Sequence, residues 1–447
     1  MNTTTRLARR GVRRGLALAV GSLLAVGAAA SSAVTPATAA APPRNGIVCT
    51  KGDAGAAPGQ PVFNLTTRTG YIDLPDGNTS FMYGYSSGFD AFQHPGPVLC
   101  VKENDTVTVI LHNTLDVPAS IVFPGQDEVL ADGVPSQPQI AGSGFMTSLA
   151  QPAAAGTGTV TYSFKATHAG TFLYESGTDP ETQVRMGLFG ALIVRPADSD
   201  SQAYDDASTA FDPTEEFMVL LSEIDPYQHA AVEQHKAFNL NNYKARYWLI
   251  NGRGYPDSIA DNFASWLPSQ PYGSLATVKP YQPDSTKPGY HPLPGMARYL
   301  SVGSEDYPFH PHGNNGLVVG RDGRQSKALS SGGEDLSMEK FAINIGPGQT
   351  WDVIFKWYDA EDYSVDNPVT VTVPDLANQV VGTFYSGSPY LGNTHDLPPG
   401  IQTLNQCGEF YIISHNHALF QITSWGVTMT GPITYMRIEP PEPNTCP

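Results

Sequence analysis

The stretch TVTVIL, residues 106–111, shows the pattern that decides the fold of this chain. Similar short runs rich in Val, Ile, Thr, Tyr and Phe follow at 159–164, 190–194 and 350–355, between clusters of Gly, Pro, Asn and Asp. Such runs predict many short strands packed as a sandwich or a barrel. Helical periodicity is scarce, and 226–238 is its best candidate, so we predict an all-β protein with at most two short helices.

The chain of 447 residues is too long for one ordinary domain, which predicts two. The stretch 197–213 carries several Asp residues among Ser, Ala and Pro without an apolar period, as an acidic linker does. It would separate a first domain at 45–196 from a second at 214–440. We expect two loop-rich insertions in the second domain, roughly at 253–296 and 376–405.

The first 40 residues have the features of an export signal. Five arginines precede or flank the start of an apolar core at 16–30, and Ala37-Thr38-Ala39 offers a small-residue cleavage site. The pair Arg13-Arg14 also fits twin-arginine export, although ordinary signals contain paired arginines too. We therefore predict a secreted protein without a further apolar stretch of the ~18 residues that a membrane span needs.

Acidic residues outnumber basic ones, and the formal charge of the whole sequence is -17. Removal of the five arginines in the first 39 residues, which contain no acid, would take the mature chain to -22. A surface this acidic repels phosphate backbones and anionic lipids. Nucleic acid and anionic membranes are therefore excluded as expected partners.

Four cysteines, Cys49, Cys100, Cys407 and Cys446, are expected to form two structural disulfides in an exported protein. None of them lies in a Cys-x-x-Cys or Cys-x-His setting, which argues against a thiolate metal site. The sequence does not choose among the possible pairings.

Two His-x-His doublets, His310-Pro311-His312 and His415-Asn416-His417, are the strongest candidates for a site. With 11 histidines in 447 residues, chance gives roughly 0.3 such doublets. Side chains at i and i+2 of a strand project from one face, so each doublet presents two imidazoles to one point. Two such strands side by side would offer four nitrogen ligands, which suit copper first and zinc second. The alternative is two histidine pairs that are exposed or satisfied in the core, without a metal.

Ordered segments over most of residues 45–440 resemble the multicopper oxidases, laccase-like enzymes built from cupredoxin domains. The similar segments of the first domain are 96–107, 131–135, 170–174 and 186–194. Those of the second domain are 246–256, 307–313, 318–323 and 346–353. The resemblance implies an all-β fold of two cupredoxin-like Greek-key β-sandwich domains.

The resemblance also implies that half of the family's copper ligands are missing. Multicopper oxidases hold a three-copper cluster with four His-x-His doublets, two from the first domain and two from the last. In this chain the first-domain ligand positions hold Val122, Pro124, Glu175 and Gly177. The remaining candidate metal ligands are His310, His312, His415 and His417, with Glu175 as an added oxygen ligand if the first domain of the same or a neighbouring subunit packs over them. The alternative for Glu175 is a surface acid of an acidic protein.

The family's mononuclear, electron-accepting copper is expected to be missing as well. Tyr307 replaces its first His, Asn416 its Cys and Gln421 its second His. A blue-copper site needs a Cys thiolate, so the resemblance predicts about one copper per chain and no blue centre. Tyr307 is expected to pack beside the doublet as an aromatic wall.

Two functions are compatible with this residual site. The first is a secreted copper oxidoreductase of reduced type, which binds dioxygen or a small-molecule substrate at the four histidines. The second is a non-catalytic copper-binding or scaffold protein derived from a multicopper oxidase. In two-domain relatives the cluster lies between the first domain of one subunit and the last domain of another. The resemblance therefore implies a homo-oligomer in which Glu175 faces the histidines.

Overall fold

The computed structural model describes residues 43–329, 333–358, 369–372, 402–405, 410–426 and 429–439. Its first sandwich contains ten strands: β1 (Cys49–Thr50), β2 (Val62–Asp73), β3 (Thr79–Ser87), β4 (Val98–Lys102), β5 (Thr106–His112), β6 (Leu130–Ala131), β7 (Val134–Pro135), β10 (Thr159–Lys165), β11 (Gly170–Glu175) and β12 (Phe189–Arg195). Between β7 and β10, the strands β8 (Gln139–Ile140) and β9 (Met146–Ser148) form a separate hairpin.

Two sheets form this sandwich, a six-stranded one in the order β3-β2-β5-β10-β6-β7 and a four-stranded one in the order β1-β4-β12-β11. Burial alternates along β5, and Val107, Val109 and Leu111 point into the core. Residues of β4 and β12, such as Leu99 and Leu192, complete that core from the other sheet. The alternation of Thr with Val and Leu in TVTVIL thus forms a half-buried strand, as predicted.

The second sandwich contains the remaining strands: β13 (Glu216–Ile224), β14 (Tyr247–Ile250), β15 (Ala276–Val278), β16 (Gly295–Ser301), β17 (Tyr307–Pro311), β18 (Gly316–Arg321), β19 (Arg324–Gln325), β20 (Met338–Lys340), β21 (Ile343–Ile345), β22 (Thr350–Phe355), β25 (Phe410–Asn416) and β26 (Ile433–Ile438). A further pair, β23 (Val369–Thr372) and β24 (Gln402–Asn405), forms its own two-stranded sheet.

One sheet of this sandwich has the order β14-β13-β16-β22-β18-β19, with β20 also paired to β18. The other has the order β15-β26-β25-β17-β21 and carries both His-x-His doublets. Trp248, Tyr299 and Phe309 are buried between the two sheets. The predicted all-β fold is therefore confirmed, with many short strands in two sandwiches.

Helices are short and few. The described residues contain α1 (Pro180–Gln183), α2 (Pro226–Glu233) and α3 (Leu419–Ile422), one more than predicted, and 3-10 turns at Ala207–Thr209, Pro213–Glu215, Leu240–Asn242 and Asp257–Ile259. The additional helices are single turns, which are too short to show a period in the sequence. In α2 the Asp225 carboxylate accepts a hydrogen bond from the N–H of Tyr227 at 2.9 Å. This cap fixes the start of the helix where the sequence predicted it.

A buried ion network joins the two sandwiches. Arg298 of β16 donates to Glu216 of β13 at 2.5 Å and to Asp352 of β22 at 3.2 Å. Its guanidinium also donates to the hydroxyl of Thr171 in β11, at 2.8 Å. Because Arg298 is fully buried, each of these partners is needed to stabilise its charge.

The segment 197–213 packs against the sandwiches. Ala203, Tyr204 and Phe211 are buried in it, and the Tyr204 hydroxyl donates to Asp352 at 2.5 Å. The domain boundaries at 196 and 214 remain a prediction. Of the predicted insertions, 253–296 forms a 3-10 turn and β15, whereas 376–401 lies outside the described residues.

One predicted disulfide is confirmed, between Cys49 of β1 and Cys100 of β4. Cys407 and Cys446 lie outside the described residues, as does the export signal predicted for residues 1–40. Within the described part of the chain, no helix is long and apolar enough to cross a membrane.

Candidate metal centre

The two His-x-His doublets lie side by side on neighbouring strands. β17 and β25 pair antiparallel, with His310 directly opposite His415. Phe309, the residue before His310, is buried in the core, so the alternation of a strand turns His310 and His312 to the outer face of the sheet. His417 follows on the same side of β25 as His415. The juxtaposition of four imidazoles that the sequence predicted is therefore present in one chain.

The imidazole rings are in mutual contact. The centroids of five ring pairs lie between 4.6 Å, for His310 and His312, and 6.0 Å, for His310 and His415. The Nε2 atoms of His312 and His415 are 3.0 Å apart. Two ligands bound to one ion at about 2.0 Å, at roughly a right angle, have nearly this separation. No three of the four rings bring nitrogens within 4.8 Å of one another, so a third ligand requires a side-chain rotation.

Main-chain carbonyls fix the tautomers of two of the rings. The Nδ1 of His310 lies 2.6 Å from the carbonyl oxygen of Phe341, and the Nδ1 of His415 lies 2.8 Å from that of Asn416. A carbonyl only accepts, so each Nδ1 carries the hydrogen and each Nε2 keeps its lone pair. This is the arrangement in which a histidine binds a metal through Nε2.

The environment also favours the neutral form of the rings. Burial lowers the pKa of His312, and the charges of the three neighbouring histidines lower it further. Burial likewise lowers the pKa of His415, against the opposing effect of the Asn416 carbonyl. Neutral imidazoles are the form that coordinates a metal ion.

In the first sandwich, three of the four substituted ligand positions adjoin one another. The N–H of Val122 donates to the carbonyl of Glu175 at 2.8 Å, and the N–H of Glu175 returns a bond at 3.1 Å. A Cβ added to Gly177 would meet Cγ1 of Val122 at 2.7 Å, whereas Pro124 is exposed. Burial raises the pKa of Glu175 to about 6. Within the described part of one chain, no hydrogen bond or ion pair joins Glu175 to the four histidines.

The inner face of the same sheet carries the positions matched to the mononuclear copper. There Asn416 donates to Gln421, and Nε2 of Gln421 donates to Oε2 of Glu305 at 2.7 Å. The same carboxylate oxygen accepts from the indole N–H of Trp248 at 3.0 Å. The side chains described here are two amides, a carboxylate and an indole, and no thiolate is among them.

Tyr307 is the third position matched to the mononuclear copper, and its side chain is also hydrogen-bonded. Its buried hydroxyl donates to Glu223, which also accepts from the Tyr243 hydroxyl at 3.3 Å. Burial raises the pKa of Glu223. These residues do not fit a mononuclear copper. Sequence reasoning missed both Glu223 and Glu305; the pair Glu305-Asp306 just before the doublet was the available signal.

Comparison with known proteins supports this description. Residues 90–199 match the family model for multicopper oxidase. The chain is 31% identical over 175 residues to copper resistance protein A of Escherichia coli, a match that covers 37% of this chain and 25% of that protein. It is 28% identical over 196 residues to laccase-1 of Emericella nidulans, covering 40% of this chain and 29% of that one. The chain thus spans about a quarter of the length of these curated relatives.

Solved structures agree on the fold. The blue copper oxidase of Nitrosomonas europaea has a TM-score of 0.53 at 18% identity, over 84% of this chain and 85% of that chain. The multicopper oxidase mgLAC has a TM-score of 0.52 at 20% identity, with the same two coverages. The two sandwiches therefore define a protein of the cupredoxin fold class. Residues 90–199 are thus similar in sequence to multicopper oxidases, and the solved structures share the fold of 84% of this chain.

Proposed function

We propose that this protein is a secreted copper oxidoreductase of reduced type, with one copper site and no blue-copper centre. Its copper ligands are the four histidines of the outer sheet face: His310, His312, His415 and His417. The observation that carries the proposal is the pair of Nε2 atoms 3.0 Å apart, in His312 and His415. Imidazole ligands suit copper best among the first-row divalent ions.

The protein's own residues prepare this site in two ways. The carbonyls of Phe341 and Asn416 hold Nδ1 of His310 and His415, which leaves both Nε2 atoms free to coordinate. Burial and mutual repulsion keep His312 and His415 neutral. Bound copper would supply one-electron chemistry and an open position for dioxygen or a small-molecule substrate.

Electrons must reach this site without a mononuclear copper. Asn416 donates to Gln421, Gln421 to Glu305 and Tyr307 to Glu223, so these side chains do not fit a relay metal beneath the sheet. We therefore propose that a substrate delivers electrons directly at the outer face. The exposed ring of Phe341, whose centroid lies 5.8 Å from that of His310, offers an apolar contact beside the metal.

Completion of the site by a second copy of the chain is part of the proposal. Next to Glu175 in the first sandwich, the hairpin β8–β9 carries Phe145 and Met146 with 76% and 56% of their surface exposed. The N–H of Leu149, the residue after β9, donates a hydrogen bond to the carbonyl of Gly177 at 2.8 Å. This bond holds the end of the hairpin close to Glu175. Beside the histidines, Phe341 is 69% exposed. Burial of these apolar patches against each other would favour a homo-oligomer that brings Glu175 to the copper.

The second candidate is a non-catalytic copper-binding or scaffold protein. The loss of the mononuclear site favours it, because a complete family member passes electrons from the substrate through that copper. The observation that favours the scaffold protein is the hydrogen bond between Asn416 and Gln421.

Oxygen consumption separates the two functions. Cu(II) is added to metal-free protein, and dioxygen uptake is followed with phenols, diamines or Mn(II) as reductant. We expect turnover that disappears in His415→Ala and persists in His235→Ala, which removes an exposed histidine paired with Asp116. Copper binding without turnover would instead support the scaffold.

A further inference from the structure

A second group of ligand-type side chains involves other elements of the second sandwich. Asp212 precedes the 3-10 turn Pro213–Glu215, Glu215 ends it, and His291 lies shortly before β16. One ligand atom of each lies within 4.8 Å of the other two. The Nε2 of His291 is 3.0 Å from Oε1 of Glu215 and 3.9 Å from Oδ2 of Asp212. A single imidazole nitrogen therefore faces two carboxylates.

Main-chain hydrogen bonds fix this geometry from both sides. Oδ1 of Asp212 accepts from the N–H and the hydroxyl of Thr214, at 2.8 and 2.7 Å, which leaves Oδ2 for the side of His291. The N–H of Asp212 donates to the carbonyl of Pro294 at 2.9 Å. His291 is held by a two-way main-chain pairing with Gln282. The three side chains are thus positioned before any ligand binds.

The charges around the group leave room for a divalent cation. The side chains of Asp212, Glu215 and His291 are only 22%, 4% and 13% exposed, so water screens them weakly. Glu439 adds a third acid, and Lys279 adds one positive charge and a backbone N–H that donates to Glu215 at 2.8 Å. Burial raises the pKa of Glu215 to about 8. Once Glu215 is ionised, three acids, one lysine and a neutral imidazole leave two negative charges. A dication balances them.

We propose that Asp212, Glu215 and His291 bind a divalent cation of the zinc type, at a site whose residues are separate from the four histidines. The imidazole separates this group from a plain acidic cluster, because nitrogen ligands select zinc over calcium and magnesium. Such an ion would tie the end of the segment 197–213 to the loop-rich segment before β16. Its role would be to stabilise this junction.

Calorimetric titration with Zn(II) tests the proposal. The titrated protein is the full chain carrying His310→Ala and His415→Ala, so that the proposed copper site does not contribute. We expect one Zn(II) per chain, and a loss of affinity of about tenfold or more in both His291→Ala and Glu215→Gln. Co(II), as a coloured substitute, should give a visible spectrum that both variants abolish.

His235→Ala is the matched control, because His235 lies 3.3 Å from a single carboxylate, that of Asp116, and should not affect Zn(II) binding. Glu215→Gln keeps the shape of the side chain, and circular dichroism verifies the fold of every variant. Absence of Zn(II) binding in the parent would overturn the proposal and leave a protonated His291 as the partner of the carboxylates. Equal affinity in the parent and in His291→Ala would overturn it too. Neither result bears on copper at the four histidines.

Discussion

The two faces of strand β25 differ in whether their polar side chains are available to coordinate a metal ion. On the outer face, His415 and His417 meet the rings of His310 and His312, and Nε2 of His415 lies 3.0 Å from that of His312. On the inner face, one residue away, the amide N–H of Asn416 is committed to Gln421. The backbone geometry is shared, so the chemistry of each face depends on whether neighbouring side chains already satisfy one another. We therefore expect a metal ion to bind at the outer face.

The largest difference between the faces should appear in copper affinity. His310→Ala combined with His415→Ala removes two outer ligands, and we expect copper binding to weaken by about 100-fold or more. The free energy of unfolding of the metal-free protein should change by less than about 0.5 kcal/mol, because the rings lie on the surface of the sheet. Copper titration and urea unfolding of the same variant measure both quantities. Copper affinity equal to wild type would place the metal elsewhere.

Colour distinguishes the inner face. Copper-loaded wild-type protein should lack the intense blue absorption of a thiolate-bound copper, because Asn416 stands where the family has its Cys ligand. A visible spectrum recorded during copper titration is sufficient. A strong blue band would show that our interpretation of Asn416 is wrong.

Two histidines buried in the protein interior, unlike those of the outer face, should make stability depend on pH. Burial lowers the pKa of His94 to about 3 and that of His229 to about 4. Both are neutral in the folded state, whereas the unfolded chain takes up protons below the ordinary histidine pKa of about 6.5. Stability is therefore full above that pH and falls as the pH drops towards the folded pKa values. Each histidine should contribute a loss of about 1.4 kcal/mol per pH unit.

Urea unfolding at several pH values between about 7 and 5 measures how the free energy of unfolding depends on pH. His94→Gln removes one titrating group and should reduce the slope, whereas the outer-face variant His310→Ala/His415→Ala should retain most of it. A slope that His94→Gln leaves unaltered would assign the acid sensitivity to other groups.

A smaller effect is expected from the carboxylate that organises the inner face. Glu305→Ala leaves the indole N–H of Trp248 without this acceptor and the Gln421 amide with a long bond of 3.4 Å to the Asp306 carbonyl. We expect a loss of about 1 to 2 kcal/mol in the free energy of unfolding, with copper affinity unchanged. Glu305→Gln keeps an acceptor oxygen and should lose less. Weaker copper binding in Glu305→Ala would contradict the independence of the two faces.

Local patterns in the sequence explain how much of this structure could be predicted. The run at 350–355 is a strand from end to end, since its β-branched and aromatic residues suit a buried sheet. The helix predicted at 226–238 ends at Glu233, because His235 adopts a left-handed φ of 52°, which stops a helix. The histidine face followed from the two-residue period of a strand.

Contacts between distant residues could not be predicted in the same way. Glu223 meets Tyr307 across 84 positions of the chain, and His291 meets Glu215 only because the loop-rich segment returns to the start of β13. The sequence contains no period that connects such residues. The pairing of sheets and the path of loops decide them, and neither is encoded locally.

The smallest effect concerns the other sandwich. If a second copy of the chain covers the histidines, Glu175 is the charged group among the four substituted positions, and it would stabilise the positive metal in a partly desolvated pocket. Glu175→Gln should then weaken copper binding by about threefold to tenfold and leave the fold intact.

The matched control is Glu181→Gln, because Glu181 is an exposed acid on nearby α1. Copper titration at several protein concentrations makes the measurement, because a site shared between copies gains affinity as the oligomer forms. Unchanged affinity in Glu175→Gln, beside a large loss in His310→Ala, would confine the site to the second sandwich and leave the first as a structural partner.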